Sequence, residues 1–258
     1  MRKIKDYYDF LNEGVPYSVE FIKGLIKSFV DTLKISQKAE ESPRGSNKGK
    51  EVEAMQKAAG TTPGNPWCAA FVYDVFSKSG IGSYEKNKIP VTPSVRIHWE
   101  KSKGAKITAE QALKNPNLIK PGMAFFYLTR NEKGEYPGSG HTGIVLSVNP
   151  QEKNFSSLEG NTNPVDGARE GYGSFLVTRN LNDPSISTKK SDHPAKLLGF
   201  IDYFAPYRGS SFDSSLKDEI EKAISNVFKT KTEREKSFLS SNPWVLKDYE
   251  KNYKERFK

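Results

Sequence analysis

The stretch Asn65-Pro66-Trp67-Cys68-Ala69-Ala70-Phe71-Val72-Tyr73-Asp74 constrains this chain more than any other. Ala69, Val72 and Phe76 form one helical stripe, with Ala70, Phe71 and Val75 beside it. A helix apolar on most sides has to be wrapped by other elements, leaving mainly its N-terminal end open. Asn65 is suited to cap that end, because its side-chain oxygen can accept from a first-turn amide. Pro66 then fits the first helical position, where its missing N–H costs nothing. Cys68, the chain's single cysteine, falls in the first turn, where unpaired amides and the helix dipole favour an anion. A thiol there is expected to ionise more readily than usual. The same residues also fit a buried cysteine packing as a small hydrophobe. A lone cysteine becomes a nucleophile candidate only when a histidine joins it from elsewhere.

One cysteine excludes an internal disulfide, so packing has to hold the fold. The 258 residues suffice for one large domain, or one domain with helical additions. No apolar run approaches the roughly twenty residues needed to span a bilayer. The charges of the first ten residues lead into no apolar core, so no secretory signal peptide is expected. Lys and Arg number 40 against 31 Asp and Glu, a net charge of +9. That balance favours an acidic partner, whether nucleic acid, anionic lipid or cell-wall polymer. Basic residues interleaved with acids along the whole chain argue against a nucleic-acid patch.

Phe21, Ile22, Leu25, Ile26, Phe29, Val30 and Leu33 recur at helical spacing within Pro16–Glu40. This predicts an amphipathic helix that docks on the main domain or binds a partner. Glu41–Lys50, rich in Ser, Gly, Pro and charge, reads as a linker or an extended lead-in. A short helix over Glu51–Ala59 ends at Gly60, and another opens at Thr92-Pro93-Ser94 and runs to Lys101. His98 lies inside the latter and reads as a packing or solvent-facing residue. After the turn Lys120-Pro121-Gly122 the pattern changes to strands: Met123–Thr129, Thr142–Val148, Phe155–Asn161, Phe175–Thr178 and Leu198–Phe204. Strands following helices without regular alternation predict an α+β fold with an antiparallel sheet. Ser214–Phe228 is again helical, and a charged helical tail begins at Asn242-Pro243-Trp244.

Two polar features stand out in the predicted sheet. In Gly140-His141-Thr142-Gly143, alternation puts His141 on one face with Gly143 and Val145, and Gly143 leaves open space beside the imidazole. In Leu158-Glu159-Gly160-Asn161, alternation puts Glu159 and Asn161 on one face, where either could accept from the imidazole N–H and fix its tautomer. A cysteine, a histidine and a third orienting group form the constellation for attack on an acyl carbon. The remaining histidine, His193, sits in a Ser-Asp-His-Pro loop and reads as solvated.

The segments Asn65-Pro-Trp-Cys-Ala-Ala-Phe-Val, Gly-His-Thr-Gly-Ile-Val and Leu-Glu-Gly-Asn-Thr-Asn, in this order, resemble the CHAP family of cysteine, histidine-dependent amidohydrolases/peptidases. These are relatives of the NlpC/P60 enzymes within the papain-like group. The resemblance covers roughly Asn47 to Tyr207. It implies Cys68 as nucleophile, His141 as base and Glu159 as the group that orients it. Asn161 is implied as an accessory polar group, with Asn65 and Trp67 as accessory positions flanking the cysteine. The implied fold is a Cys-bearing helix packed on an antiparallel sheet, and the implied substrate is peptidoglycan. The bond cut would be the N-acetylmuramoyl–L-alanine amide or one within the peptide. Where many relatives have Pro-Gly-Asp before the first strand, this chain has Pro121-Gly122-Met123.

These readings divide the chain into an N-terminal helical extension (1–44), a catalytic domain (45–208) and a C-terminal helical extension (209–258). No metal and no cofactor are expected, since no Asp-rich loop has calcium-ligand spacing. Without a signal peptide, an enzyme acting on the wall would reach it through phage lysis, tail-borne delivery or a dedicated secretion machine. Two other readings remain open at this level. One is an amidase or acyltransferase working on a non-wall substrate, and the other a wall-binding module that retains the triad without turnover.

Overall fold

In the computed structural model, residues 17–83, 87–131, 133–165, 171–184 and 195–247 are described. The β-rich second half folds into a six-stranded sheet in which every pairing is antiparallel. β1 (Ala105–Thr108), β2 (Ala124–Leu128), β3 (Gly140–Asn149), β4 (Asn154–Thr162), β5 (Gly173–Asn180) and β6 (Lys196–Asp202) lie in the order β1-β6-β2-β3-β4-β5. The register sets Tyr127 opposite His141 and Phe125 opposite Gly143 across β2 and β3. Across β4 and β5 it sets Ser157 opposite Val177 and Glu159 opposite Phe175.

Helices α1 (Val19–Ser36), α2 (Lys50–Ala58) and α3 (Cys68–Lys78) precede the sheet. α4 (Val95–Lys101) and α5 (Ala109–Lys114) flank β1, while α6 (Ser210–Ala223) and α7 (Lys229–Ser241) follow β6. One sheet face, through Ala124, Phe126, Ile144, Leu146 and Leu158, shares a core with α3, α1 and α6. The other face presents Phe125, Tyr127, Val145, Phe155 and Phe200 to a second core closed by Ala112 and Ile119. α3 is buried along Cys68–Val72 and at Val75 and Phe76, which is why its sequence is apolar nearly all round. A helix-and-antiparallel-sheet α+β architecture is thus the class read from the pattern. Among the described residues no helix is long and apolar enough to cross a membrane.

Several boundaries differ from the sequence-based reading. α1 starts at Val19 because the Ser18 hydroxyl caps it, accepting from Phe21 N at 3.1 Å, and it ends at Ser36 with Gln37 as C-cap, short of the expected Glu40; Pro16 lies outside the described residues. Of the two readings of Glu41–Lys50, the free linker fails: Glu41 and Asn47 are buried, and Glu41 N bonds Tyr172 O at 2.8 Å. Its turn residues serve a tight packed loop rather than a free connection, with Asn47 at φ 50°. β1 and α5 were not anticipated. Thr108 both ends the strand and starts the helix, through a capping box with Gln111. Helical structure beyond Phe228 begins already at Lys229, ahead of the tail expected from Asn242.

Candidate active site

Cys68 is the first residue of α3, and the first intrahelical bond runs from Phe71 N to Trp67 O at 2.8 Å. The amides of Cys68, Ala69 and Ala70 therefore stand ahead of the helix's own ladder, at its positive end. Asn65 does not cap this helix. The N-cap is Trp67, which makes no side-chain cap bond, and Pro66 lies outside the first turn. Asn65 is held by the preceding turn instead. Its amide donates to Thr61 Oγ1 at 3.1 Å and Thr62 Oγ1 at 2.9 Å, and its carbonyl accepts from Gln56 Nε2 at 2.6 Å.

The helix entry is fixed from farther away. In the amide orientation that satisfies all its neighbours, Asn161 accepts from Trp67 N at 3.3 Å and donates to Asn47 Oδ1 at 3.1 Å and Gly171 O at 2.9 Å. Asn161 therefore does not share a face with Glu159. Its φ of 58° breaks the alternation and turns the side chain toward α3, a conformation asparagine tolerates better than most residues. Trp67 is fully buried and its indole donates to Glu41 Oε1 at 3.0 Å. Gly160 allows this close approach: a Cβ there would stand 2.6 Å from the Trp67 ring and 2.7 Å from Phe71 Cβ.

The Cys68 thiol faces the carbonyl of Gly140, the residue before His141, at 4.0 Å. Though only 5% exposed, it lines an open cleft of about 330 Å³. Thr61, Asn65 and Pro66 form one wall of that cleft, Pro93 to Val95 another, and Gly138 to Gly140 the third. A larger groove of about 460 Å³ between β4, β5 and α7 contains neither the cysteine nor the histidines.

His141 and Glu159 meet directly, with Nε2 2.8 Å from Oε2, both side chains fully buried. Of the two residues expected to meet the imidazole, Glu159 makes the contact and Asn161 does not. Gly143 leaves no void beside the imidazole, contrary to expectation. The space its missing side chain frees is filled by Glu159 Cγ and the Phe125 ring, 2.6 Å and 2.9 Å from where a Cβ would sit.

Glu159 has a further partner that the sequence reading missed. Arg179 Nε donates to Oε1 at 2.6 Å and its Nη2 donates to Oε2, a bidentate pair across β4 and β5. The Ser157 hydroxyl also donates to Oε1, at 2.5 Å. Burial alone would raise the Glu159 pKa, but Arg179 and then His141 outweigh it and hold the carboxyl down at about 2. A signal for Arg179 did exist: Phe175, Val177 and Arg179 share one strand face, which places an arginine on an apolar stripe.

The other histidines stay outside this arrangement. His98 is buried with Nε2 2.7 Å from the Tyr203 hydroxyl, and burial followed by the Lys106 charge lowers its pKa to about 3. It packs as a neutral ring. His193 lies outside the described residues. Among the described residues no group of three or more His, Cys, Asp or Glu side chains is gathered to hold a metal ion.

Residues 60–161 match the CHAP domain. The matched segment contains Cys68, His141, Glu159 and Asn161, and ends at the last of these. CHAP domains are in general amidases or peptidases acting on peptidoglycan. No curated protein and no solved structure matches the chain.

Proposed function

We propose that the protein is a cysteine amidohydrolase or peptidase that cleaves an amide bond of peptidoglycan through a thioester. The observations that carry this reading are the buried His141–Glu159 hydrogen bond and a thiol that lines an open cleft 4.0 Å from the carbonyl of Gly140, the residue before His141, all within the CHAP segment. Glu159 accepts from Nε2–H, so Nδ1 is the nitrogen that takes the thiol proton. The thiolate attacks the carbonyl carbon, forming the C–S bond while the carbonyl electrons move onto oxygen. The amides at the start of α3 are oriented to stabilise that oxyanion. Collapse of the adduct breaks the C–N bond, and the imidazolium delivers its proton to the departing amine. His141 next takes a proton from water as the water attacks the thioester. The C–S bond breaks, the carboxylic acid leaves and Cys68 is restored. A papain-like arrangement of helix and sheet and a Cys-His-Glu division of roles are parts of the same reading. The net charge of +9 would concentrate the protein on anionic wall polymers.

The test is digestion of purified peptidoglycan followed by mass spectrometry. Wild-type protein should release amine-bearing fragments whose masses distinguish the N-acetylmuramoyl–L-alanine amide from bonds within the peptide. Cys68→Ala should release none. Sedimentation with sacculi and no released fragments would favour a wall-binding module instead.

A further inference from the structure

The charged group that completes this site lies downstream of the CHAP match. We propose that Arg179 is a positioning residue of the catalytic apparatus, holding Glu159 as a fixed anion so that His141 keeps the tautomer that can accept the thiol proton. This rests on the reading of Cys68 and His141 as nucleophile and base.

The geometry is specific. Among the described residues, the Glu159 carboxylate has partners on three successive strands. His141 comes from β3, Ser157 from β4 itself and Arg179 from β5. β2 closes the same face with Phe125 and Tyr127, whose ring centroids lie 5.5 Å and 5.2 Å from the guanidinium carbon. The third arm of the fork, Nη1, donates to Pro184 O at 2.6 Å, just past β5 and one residue after the acidic Asp183. The guanidinium is fully buried, so its two bonds to Glu159 are shielded from solvent screening.

The reason the site needs that charge is chemical. A buried carboxyl without a cation tends to take a proton. Protonated, Glu159 would turn from acceptor to donor and direct its O–H at Nε2. The imidazole would then carry its own proton on Nδ1, the nitrogen that has to receive one from Cys68. Arg179 keeps Glu159 an acceptor, and an acceptor keeps the proton on Nε2. The alternative is a structural ion pair that merely ties β4 to β5.

Alkylation of Cys68 by iodoacetamide separates these, because it reports thiolate without needing the wall substrate. Rates would be measured from pH 4 to 9 for the wild type, Arg179→Met and Arg179→Lys, with thermal melts to confirm folding. Arg179→Met should label at least about tenfold more slowly at neutral pH, and the low-pH limb of its profile should shift upward. Hydrolysis at neutral pH should fall by about 10²-fold. Arg179→Lys, which restores the charge without the fork, should keep the limb near its wild-type place with a partial loss of rate. An Arg179→Met profile that superimposes on the wild type overturns the proposal and leaves the structural pair. Should Arg179→Met fail to fold, Arg179→Lys decides: a wild-type labelling rate with only a lowered melting temperature overturns the proposal equally. If the wild type itself labels like an ordinary thiol, near pH 8.5, the nucleophile reading falls and this proposal with it. A depressed wild-type profile that Arg179→Met leaves unchanged sinks the arginine proposal alone.

Discussion

Gly143→Ala tests the packing around the Glu159 carboxylate with a single methyl group. The new Cβ would stand 2.6 Å from Glu159 Cγ, 2.8 Å from Leu158 O and 2.9 Å from Phe125 Cε1. Leu158 belongs to the β3–β4 ladder opposite Ile144, and Phe125 is fully buried among aromatic rings. Neither can yield easily, so most of the relief must come from Glu159. Withdrawing to ordinary contact means a movement of roughly 0.8 Å. Whichever way the side chain goes, one or more of its bonds to His141, Ser157 and Arg179 lengthens beyond useful range. Overpacking of this kind costs ~1–3 kcal/mol, a fall of roughly 2–12 °C in melting temperature for a domain of this size. Misplacing a catalytic group by about 1 Å costs on the order of 10²-fold in turnover. Turbidity loss of a peptidoglycan suspension and a thermal melt read the two effects. Gly24→Ala serves as control: Gly24 sits inside α1 and a Cβ there meets nothing within 4 Å. It should gain ~0.5–1 kcal/mol and leave turnover unchanged. Wild-type turnover and melting temperature in Gly143→Ala would refute the reasoning.

Further outcomes follow from the same geometry. Because the Glu159 pKa is lowered from 4.5 to about 2, its contribution to stability is complete above about pH 4.5 and disappears as pH falls toward 2. The gap in melting temperature between the wild type and Glu159→Gln should therefore narrow over that interval, and a gap constant with pH would contradict the assignment. Asn161→Gly keeps the left-handed backbone but removes the amide on Trp67 N, whereas Asn161→Ala loses both. Turnover should fall in each, with Asn161→Ala melting lower by about 1 kcal/mol, and equal melting temperatures would show that the backbone is not strained there. A chain of residues 45–208 removes Phe29 and Phe212, which pack on Phe204 at 5.0 Å and 5.3 Å. It should aggregate or bind a hydrophobic dye, and a soluble fragment with the full chain's melting temperature would refute this.

The sequence made legible whatever depends on period and burial. α3 announced itself because a helix enclosed on nearly all sides has little need of a polar face, and β3 because Ile144, Val145 and Leu146 suit a strand buried on both faces. His141 and Glu159 were found by alternation, since both lie where the strands run regularly. Asn161 was misplaced by the same rule, because one left-handed residue at the end of β4 reverses the side-chain direction. Asn65 was misjudged because capping propensity is local, whereas the turn from Thr61 competed for the same amide. Arg179 escaped because a charged residue in a strand is ordinarily a solvated one. Its burial depends on a carboxylate from a neighbouring strand, a pairing that no local pattern encodes.

The extent of the matched segment and the extent of the site differ for a physical reason. Residues 60–161 include the thiol, the imidazole and the carboxylate, but each is held by something outside. Glu41 and Asn47 reach the helix entry from upstream, through the Trp67 indole and the Asn161 amide. Arg179 reaches the carboxylate from downstream, on the outermost strand of that side of the sheet. An isolated 60–161 segment would leave a buried indole N–H without its acceptor, Glu41, and a buried carboxylate without its cation, Arg179. An unpartnered buried group costs about 1–3 kcal/mol when neutral and more when charged, against a total stability of only ~5–15 kcal/mol for a typical protein. The chemistry occupies a short stretch, but the preorganisation it depends on requires the flanking chain, so the folding unit has to be longer than the matched motifs.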